Sequence, residues 1–386
     1  MSKKKLLLVV PMLHQGGFER VCVRTARIME PWFEVTIAMF SDADIAYDIT
    51  GLFVINLDVP AKDGKINKLL NVAKRIVRLA ALKRRIKPDI TYSFGPTANL
   101  INVLTPVGGQ IWTGVRSWMD MDMPGMLKLF CKGSDKVICC SEVIAAEMKK
   151  LFGAQNTEVL YNPYDCRAME EMAQQPVADM PDFSGQKMMI SVGREDDVKE
   201  FWHLIKCLYL MKDAVPEASL CIVGEGTFEE YKKLAGELGI ADRICFAGLQ
   251  KNPFAWMKKA QLCVGTSAME GFPNALVECM ACGVGAVFAN CMSGPAEILS
   301  DRFAEVVGKQ EVLEEAYGIL IPVMDDKKNL DPAVFTEEEK KLAELLTALL
   351  TDSVHLKKLA QAAKVRAAHF SDEAYAQTIL RIADGK

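Results

Sequence analysis

Short runs of apolar residues alternate along the chain with stretches in which apolar positions recur every three or four residues. The short runs predict buried strands, and the longer periodic stretches predict amphipathic helices. In the first half the predicted strands are Lys5–Val10, Val35–Phe40, Ile90–Phe94, Lys136–Cys140 and Val159–Tyr161. In the second half they are Met188–Val192, Leu220–Val223, Ile244–Ala247, Leu262–Val264, Ala286–Ala289 and Ile319–Ile321. This alternation is typical of parallel α/β architecture.

The pattern is interrupted once, at Asn162-Pro163 and the polar stretch around Gln174–Pro176. A chain of 386 residues is long enough for two domains of ordinary size. We therefore predict two doubly wound sheets, in domains spanning 1–165 and 166–368. The chain is helical from Thr336 onward and ends in a predicted helix over Asp372–Ala383, within a last segment 369–386.

Charge and cysteine content narrow the classes of function. The net charge of -4 and the pI of about 5.8 show no overall nucleic-acid footprint, and no apolar run reaches the length of a membrane span. Residues 1–165 carry 22 basic against 16 acidic side chains, whereas the remainder carries 24 against 34, which suggests two modules with different partners. The basic, briefly apolar start favours a first strand over a signal peptide, and twelve scattered cysteines indicate a reduced, cytoplasmic protein.

The most informative segment runs from Glu270 to Glu278 and places two carboxylates eight residues apart around the start of a predicted helix. Pro273 suits the first helical position, and the helix is predicted to continue to Cys282. Free N–H groups at a helix start bind anions, while flanking carboxylates accept hydrogen bonds from sugar hydroxyls. A sugar diphosphate ester has both features; the alternative interpretation is an ordinary helix start with a surface acid.

Two other loops follow predicted strands. Gly193-Arg194 and the nearby Lys199 combine a glycine with two cations that could hold a diphosphate, unless they are simply solvated surface cations. Because acids at 195–197 and 200 surround Lys199, we expect Arg194 to contribute more than Lys199. The pair Gly16-Gly17 after the first strand would let the backbone approach a ligand, although a tight turn also needs glycine.

The segment from Gly193 to Ile298, and above all Glu270–Glu278 followed by Ser293-Gly294-Pro295-Ala296-Glu297-Ile298, closely resembles glycosyltransferase family 4, which are retaining enzymes of the GT-B fold. The resemblance implies two Rossmann-like domains facing a cleft. It assigns 1–165 to the acceptor side and 166–368 to the nucleotide-sugar donor. It also implies that 369–386 packs back on the N-terminal domain, and that neither a metal nor another cofactor is required.

The same resemblance implies residue roles. Glu270 would hold donor-sugar hydroxyls, Glu278 the ribose hydroxyls, and Arg194 with Lys199 would stabilise the leaving UDP, so that Glu270, Arg194 and Lys199 form the catalytic set. The full donor set is Gly16, Gly17, Gly193, Arg194, Lys199, Gly248, Leu249, Glu270, Gly271, Phe272, Pro273, Asn274, Ala275 and Glu278. Arg116 marks the acceptor side, where the family's usual histidine is absent.

Two motifs point elsewhere. Asp120-Met121-Asp122 has the spacing of a catalytic metal pair but lies in a Met-rich loop rather than after a strand, so we predict no metal site there. The stretch Lys65–Lys87 holds nine Lys or Arg and no acid, with apolar residues at helical spacing. It is interpreted either as an amphipathic helix lying on anionic lipid or as a core-packed helix with a solvated basic face.

The sequence thus predicts a retaining, metal-independent glycosyltransferase that moves a sugar from a nucleotide-sugar, expected to be a UDP-sugar, to a glycan or lipid-linked acceptor. It is expected in the cytoplasm or on the inner face of the cell membrane, with no nucleic-acid partner. Two alternatives are a nucleotide-sugar 2-epimerase of the same fold and a non-catalytic protein that binds sugar nucleotides.

Overall fold

The computed structural model describes residues 3–14, 16–177, 180–324 and 327–385. The chain divides into two compact units, one formed by Met1–Pro163 with Asp372–Lys386 and the other by Tyr164–Ser371. Within the described ranges, no helix combines the length and the apolar character needed to cross a membrane.

The first unit contains a seven-stranded parallel sheet. Its strands are β1 (Lys4–Val10), β2 (Phe33–Met39), β3 (Val54–Asn56), β4 (Ile90–Phe94), β5 (Gln110–Val115), β6 (Lys136–Cys139) and β7 (Thr157–Val159). Its helices are α1 (Gly17–Met29), α2 (Lys65–Ile86), α3 (Pro96–Val103), α4 (Pro124–Gly133), α5 (Glu142–Phe152) and, from the chain end, α15 (Asp372–Ala383). The strand order is β3-β2-β1-β4-β5-β6-β7.

The second unit also contains seven strands, parallel except for one antiparallel edge pair. They are β8 (Lys187–Val192), β9 (Ala218–Val223), β10 (Ile244–Gly248), β11 (Leu262–Gly265), β12 (Gly285–Ala289), β13 (Leu313–Glu315) and β14 (Gly318–Ile321). The helices are α6 (Cys166–Ala173), α7 (Phe201–Leu210), α8 (Glu229–Glu237), α9 (Pro253–Met257), α10 (Asn274–Ala281), α11 (Pro295–Leu299), α12 (Phe303–Val306), α13 (Glu337–Thr351) and α14 (Ser353–Ala367). The strand order is β10-β9-β8-β11-β12-β14-β13.

Both orders reverse direction in the middle of the sheet, between β1 and β4 in the first unit and between β8 and β11 in the second. Loops leave the carboxyl ends of the two strands on opposite sides of such a switch point and open a crevice, where ligands of doubly wound sheets bind. The fold alone therefore indicates the loops after β8 and β11 as the candidate ligand-binding site.

The last helix belongs to the first unit. Tyr375 of α15 is buried and its hydroxyl lies 2.6 Å from the Thr25 hydroxyl of α1. Asp372, at the start of α15, forms a salt bridge with Arg24. Ile379 and Ile382 complete the apolar side of α15 within the core of this unit.

Each predicted strand corresponds to a strand of the structure, which confirms the α/β reading, although some boundaries differ. The last strand of the first unit ends at Val159 rather than at Tyr161. Strand β5 has no predicted counterpart, because Gln110 and Thr113 break its apolar run although five of its six residues are buried.

Candidate functional site

On one side of the switch point of the second unit, main-chain contacts join the ends of β8, β9 and β10. The Gly193 N–H, after β8, donates to the Val223 carbonyl of β9 at 2.9 Å. A Cβ atom at Gly224 would lie 1.8 Å from the Gly193 carbonyl oxygen, so only glycine permits this approach. Gly224 in turn donates its N–H to the Gly248 carbonyl at 3.0 Å. Gly193, Gly224 and Gly248 thus form a continuous backbone floor along the carboxyl edge of the sheet.

Lys199 lies over this floor. A Cβ atom at Gly193 would meet the Lys199 Cε at 3.1 Å, so the glycine leaves room for the lysine stem. The buried Thr266 hydroxyl, from the loop after β11, lies 3.1 Å from the Lys199 carbonyl and 3.0 Å from the Glu200 carbonyl. The Ala268 N–H donates to the Val198 carbonyl at 3.0 Å. The loops after β8 and β11 are therefore joined through main-chain groups, which holds Lys199 in one place.

Lys199 and Glu270 form an ion pair across the switch point. The distance between the Lys199 Nζ and the Glu270 Oε1 is 2.6 Å, and the two side chains are 24% and 13% exposed. These residues are 71 positions apart in the chain, so the fold brings them together. A cation and a carboxylate at one partly open edge can receive a ligand that carries both an anion and hydroxyl groups.

The loop from Gly271 to Asn274 is supported from below. The Ser293 hydroxyl donates to the Gly271 carbonyl at 2.6 Å, and Phe272 is buried against Phe370 with ring centroids 5.2 Å apart. The Tyr164 hydroxyl donates to Asn274 Oδ1 at 2.6 Å. These contacts hold the main chain of the loop in place beside Glu270.

Helix α10 begins at Asn274, with Pro273 as its N-cap residue rather than its first helical residue as the sequence predicts. Pro273 makes no side-chain capping hydrogen bond to this helix start. Gly294 has a positive φ of 91°, and a Cβ atom there would lie 2.5 Å from the Pro273 ring. The first main-chain N–H groups of α10, including that of Ala275, thus lie at the same edge as Glu270.

Glu278 lies in the second turn of α10 and is 4% exposed. Its carboxylate helps to raise the pKa of the neighbouring Cys282 thiol to about 12, after the larger effect of burial. Burial and the Glu270 carboxylate likewise raise the pKa of Cys291 to about 12. Both thiols are therefore protonated near neutral pH, and neither is an activated nucleophile.

The acids near Lys199 are engaged elsewhere, so the prediction that they compete with ligands for Lys199 is wrong. Asp196 binds Arg194 instead, with Nη2–Oδ2 and Nε–Oδ2 distances of 3.0 and 3.2 Å. Asp197 binds Lys328 at 2.9 Å, and the Glu195 carboxylate accepts from the N–H groups at 227 and 228. Arg194 is 71% exposed, compared with 24% for Lys199, so Arg194 is the looser cation.

At the end of β10, Gly248 has a positive φ of 65° and Leu249 is 54% exposed. An exposed leucine beside a glycine backbone offers a flat, apolar contact of the kind that a planar base accepts. Both residues belong to the same sheet edge as Lys199.

The predicted residues of the first unit lie at its own carboxyl edge. Gly16 donates its N–H to the Tyr47 hydroxyl at 3.0 Å and accepts from it at 2.7 Å, and Gly17 begins α1. Arg116 follows β5, and its guanidinium binds Asn162 Oδ1 at 2.5 Å. Arg116 thus has a clear structural contact within its own unit.

The Asp120–Asp122 pair does not form a metal-binding arrangement with its neighbours. The Asp120 carboxylate accepts from the N–H groups of Arg116 and Ser117 at 3.1 and 3.3 Å, and forms a capping box with Ser117. Burial raises the pKa of Asp120. Across the described ranges, no group of three or more His, Cys, Asp or Glu side chains could hold a metal ion.

A buried polar cluster beneath Lys199 escaped the sequence reading. His203 Nδ1 lies 2.7 Å from Glu339 Oε1, and His203 Nε2 lies 3.7 Å from the Glu200 carboxylate. Lys206 donates to the Val334 carbonyl at 2.8 Å. The only sequence signal was the presence of charged residues in the otherwise apolar helix 201–210.

The two units have the architecture of a GT-B glycosyltransferase, with the site at the switch point of the second. The crystal structure of HepE from Anabaena in complex with UDP superposes with a TM-score of 0.75 at 18% identity, over 99% of this chain and 100% of that one. At this identity the likeness establishes the fold alone.

Residues 178–331 match the family model of glycosyl transferases group 1. Over 84% of its length the chain is 25% identical to a Campylobacter jejuni enzyme, across 91% of that protein. That relative is N-acetylgalactosamine-N,N'-diacetylbacillosaminyl-diphospho-undecaprenol 4-alpha-N-acetylgalactosaminyltransferase. An uncharacterised glycosyltransferase of Methanocaldococcus jannaschii is 24% identical, over 73% of this chain and 76% of that one.

Proposed function

We propose that this protein is a retaining, metal-independent glycosyltransferase that transfers a hexose unit from a UDP-sugar to a lipid-linked or polysaccharide glycan. The observation that carries the proposal is the Lys199–Glu270 pair at the switch point, beside the start of α10. A diphosphate would take Lys199 as its partner. That exchange would free the Glu270 carboxylate to accept hydrogen bonds from the hydroxyls of the transferred sugar.

The remaining roles follow from placement. N–H groups over Phe272–Ala275 would donate to sugar or phosphate oxygens, and Arg194 would turn from Asp196 toward the diphosphate. Glu278, one helical turn deeper, would accept from the ribose hydroxyls. The bond between the anomeric carbon and the UDP oxygen breaks as the acceptor oxygen attacks on the same face. The acceptor proton passes to the departing phosphate, and the configuration is retained.

Both substrates are proposed partly from relatives. HepE has been solved with UDP and with UDP-glucose, which supports a UDP-sugar donor. The Campylobacter relative is named for a diphospho-undecaprenol acceptor, which supports a lipid-linked glycan. We accordingly place the enzyme on the cytoplasmic face of a membrane, and its twelve free cysteines agree with a reducing compartment.

A panel of UDP- and GDP-sugars, followed by thermal unfolding, tests the donor. A ligand at about 100 times its Kd should stabilise the protein by about 2.7 kcal/mol. The stabilising donor is then incubated with a polyprenyl diphosphate glycan, and the anomeric configuration of the product is determined by NMR. An inverted product would contradict the retaining proposal. A free epimer without glycoside would indicate a 2-epimerase, and binding without turnover would indicate a sensor.

A further inference from the structure

Helix α2 packs on the core through Leu79 and Leu82 and buries two basic side chains on the same side. Arg75, 9% exposed, donates from Nε and Nη2 to the Val59 carbonyl at 3.0 and 2.8 Å and lies 4.6 Å over the Phe40 ring. Lys83 is fully buried and donates to the Thr105 carbonyl at 2.7 Å. The inward face of this helix is therefore mixed, because it holds apolar core residues together with two basic side chains that donate to main-chain oxygens.

The first half of α2 also exposes large aliphatic residues, which an ordinary surface helix keeps on its core-facing side. Ile66, Leu69, Leu70 and Val77 are 76%, 71%, 53% and 67% exposed. Their spacing of three, four and eleven residues places them along one stripe, with the exposed Ala73 between them. Four large aliphatic side chains on one helix face form a patch that aqueous exposure alone does not explain.

Exposed cations border the stripe. They are Lys65, Lys68 and Lys74 in its first half, with Arg84 and Arg85 towards the end of the helix. Some cations of Lys65–Lys87 are not available to a partner, since Arg75 and Lys83 point inward and Arg78 binds the main chain at Leu57 and Asp58. The charge available to a partner comes from the outer lysines and arginines alone.

We propose that the outward face over Lys65–Val77 is a membrane-insertion surface that places its four aliphatic side chains at the boundary of headgroups and acyl chains in an anionic bilayer. The bordering lysines would then meet lipid phosphates. This proposal depends on the proposed function in one respect: the insertion surface would bring the enzyme to its lipid-linked acceptor.

Charge and side-chain type favour a bilayer over a protein partner. The segment Lys65–Lys87 contains no acid, so a second copy packed on this face would bring lysines against lysines. Protein interfaces are enriched in aromatic side chains and depleted in lysine, whereas this stripe is aliphatic and bordered by lysine. Long lysine stems can also lie along apolar surface while the ammonium groups reach the phosphates.

Sedimentation with phosphatidylcholine vesicles, with and without phosphatidylglycerol, tests the insertion surface. We expect the full-length protein to bind the anionic vesicles and not the neutral ones. The double variant Leu69→Gln/Leu70→Gln should lose about tenfold or more in partition coefficient at every salt concentration, because apolar insertion is not screened. The triple variant Lys65→Gln/Lys68→Gln/Lys74→Gln should lose mainly the salt-sensitive part.

Helix α5 offers a matched control, because Leu151 is 53% exposed and follows Lys149 and Lys150. Lys149→Gln/Leu151→Gln should leave vesicle binding unchanged. A Leu69→Trp variant should shift its emission to the blue on anionic vesicles. Equal vesicle binding by the Leu69→Gln/Leu70→Gln variant and the wild type would overturn the proposal. It would also be overturned if the wild type formed a dimer without lipid and this variant were monomeric, because the face would then bind a second copy of the chain.

Thermal stabilisation by UDP, measured on the same variants, separates this proposal from the proposed function. The changed residues belong to the first unit and the Lys199–Glu270 pair belongs to the second, so nucleotide stabilisation should be unaltered. Vesicle binding without stabilisation by any nucleotide would support the insertion surface and contradict the proposed transferase activity. Nucleotide binding with no preference for anionic vesicles would do the opposite.

Discussion

Replacing Glu270 by Gln should separate UDP binding from sugar transfer. The change keeps the size of the side chain and removes the charge that Lys199 contacts at 2.6 Å. Because the pair is only partly exposed, its charge-assisted hydrogen bond should contribute about 2 kcal/mol. The nucleotide-free variant should therefore unfold in urea with a free energy about 2 kcal/mol lower than the wild type.

The effect on UDP should have the opposite sign. In the wild type a diphosphate must displace Glu270 from Lys199, whereas in Glu270→Gln the lysine is already released. We expect the Kd of UDP to stay the same or to fall by up to about tenfold, which corresponds to about 1.4 kcal/mol. Lys199→Met, in contrast, removes the cation itself and should raise the Kd.

The rate should fall even where binding improves. Glu270 is proposed to hold the sugar as charge develops at its anomeric carbon, and removing such a contact costs on the order of 10²–10³ in rate. The rate of UDP release by slow hydrolysis of the stabilising UDP-sugar measures this catalytic effect without an acceptor. Calorimetry measures UDP affinity. The reasoning is refuted if Glu270→Gln weakens UDP as much as Lys199→Met does, or if its hydrolysis rate is normal.

Three further outcomes follow from the described contacts. Arg194→Ala should weaken UDP binding less than Lys199→Met, the reverse of the sequence expectation, because Arg194 is 71% exposed and already bound to Asp196; calorimetry on both variants decides the order. Transfer should survive excess EDTA, and a complete loss restored by Mn²⁺ would return Asp120 to consideration as a metal ligand. Burial lowers the pKa of Lys83 from 10.5 to about 7, so between these values the unfolded chain binds the extra proton and stability should rise with pH. Relative to Lys83→Met the gain should approach about 1.4 kcal/mol per pH unit, and parallel urea-unfolding profiles for the two proteins would contradict it.

The sequence predicts those parts of the fold whose signal is local. Strands β8 and β9 are largely buried and consist mainly of apolar residues. Strand β3 has three half-buried residues and β13 lies at a sheet edge, so neither produces a strong pattern. Periodicity also located α2 correctly, but it could not show that Leu69 and Leu70 stay exposed while Lys83 is buried.

The orientation of α2 depends partly on hydrogen-bond acceptors that lie outside the helix in the sequence. The carbonyl groups of Val59 and Thr105 accept from Arg75 and Lys83, and each buried carbonyl needs a donor. These partners are 16 and 22 residues from the cations that bind them. A rule that turns apolar residues inward therefore accounts for Leu79 but not for Arg75 and Lys83, which are held inside by these main-chain hydrogen bonds.

In the candidate site, too, the sequence predicts local features but not contacts between distant parts of the chain. Lys199 and Glu270 each stand out through their local motif and the resemblance it carries, but their pairing needs the strand order β8-β11, which no local pattern encodes. The acids beside Lys199 were misjudged for this reason. Their partners, among them Lys328 and the N–H group of Thr227, come from elements that follow much later in the chain.

Glu200 shows how the neighbourhood of Lys199 is held. It adopts a φ of 49°, a left-handed conformation that is unfavourable for a residue other than glycine. The Thr266 hydroxyl donates to the Glu200 carbonyl at 3.0 Å, and the buried Glu200 carboxylate lies 3.7 Å from His203 Nε2. His203 Nδ1 in turn lies 2.7 Å from the Glu339 carboxylate. Because the strained residue directly follows Lys199, the contacts that maintain it also fix the lysine. The buried cluster is thus a support that places the cation before a ligand arrives, which reduces the ordering that binding requires.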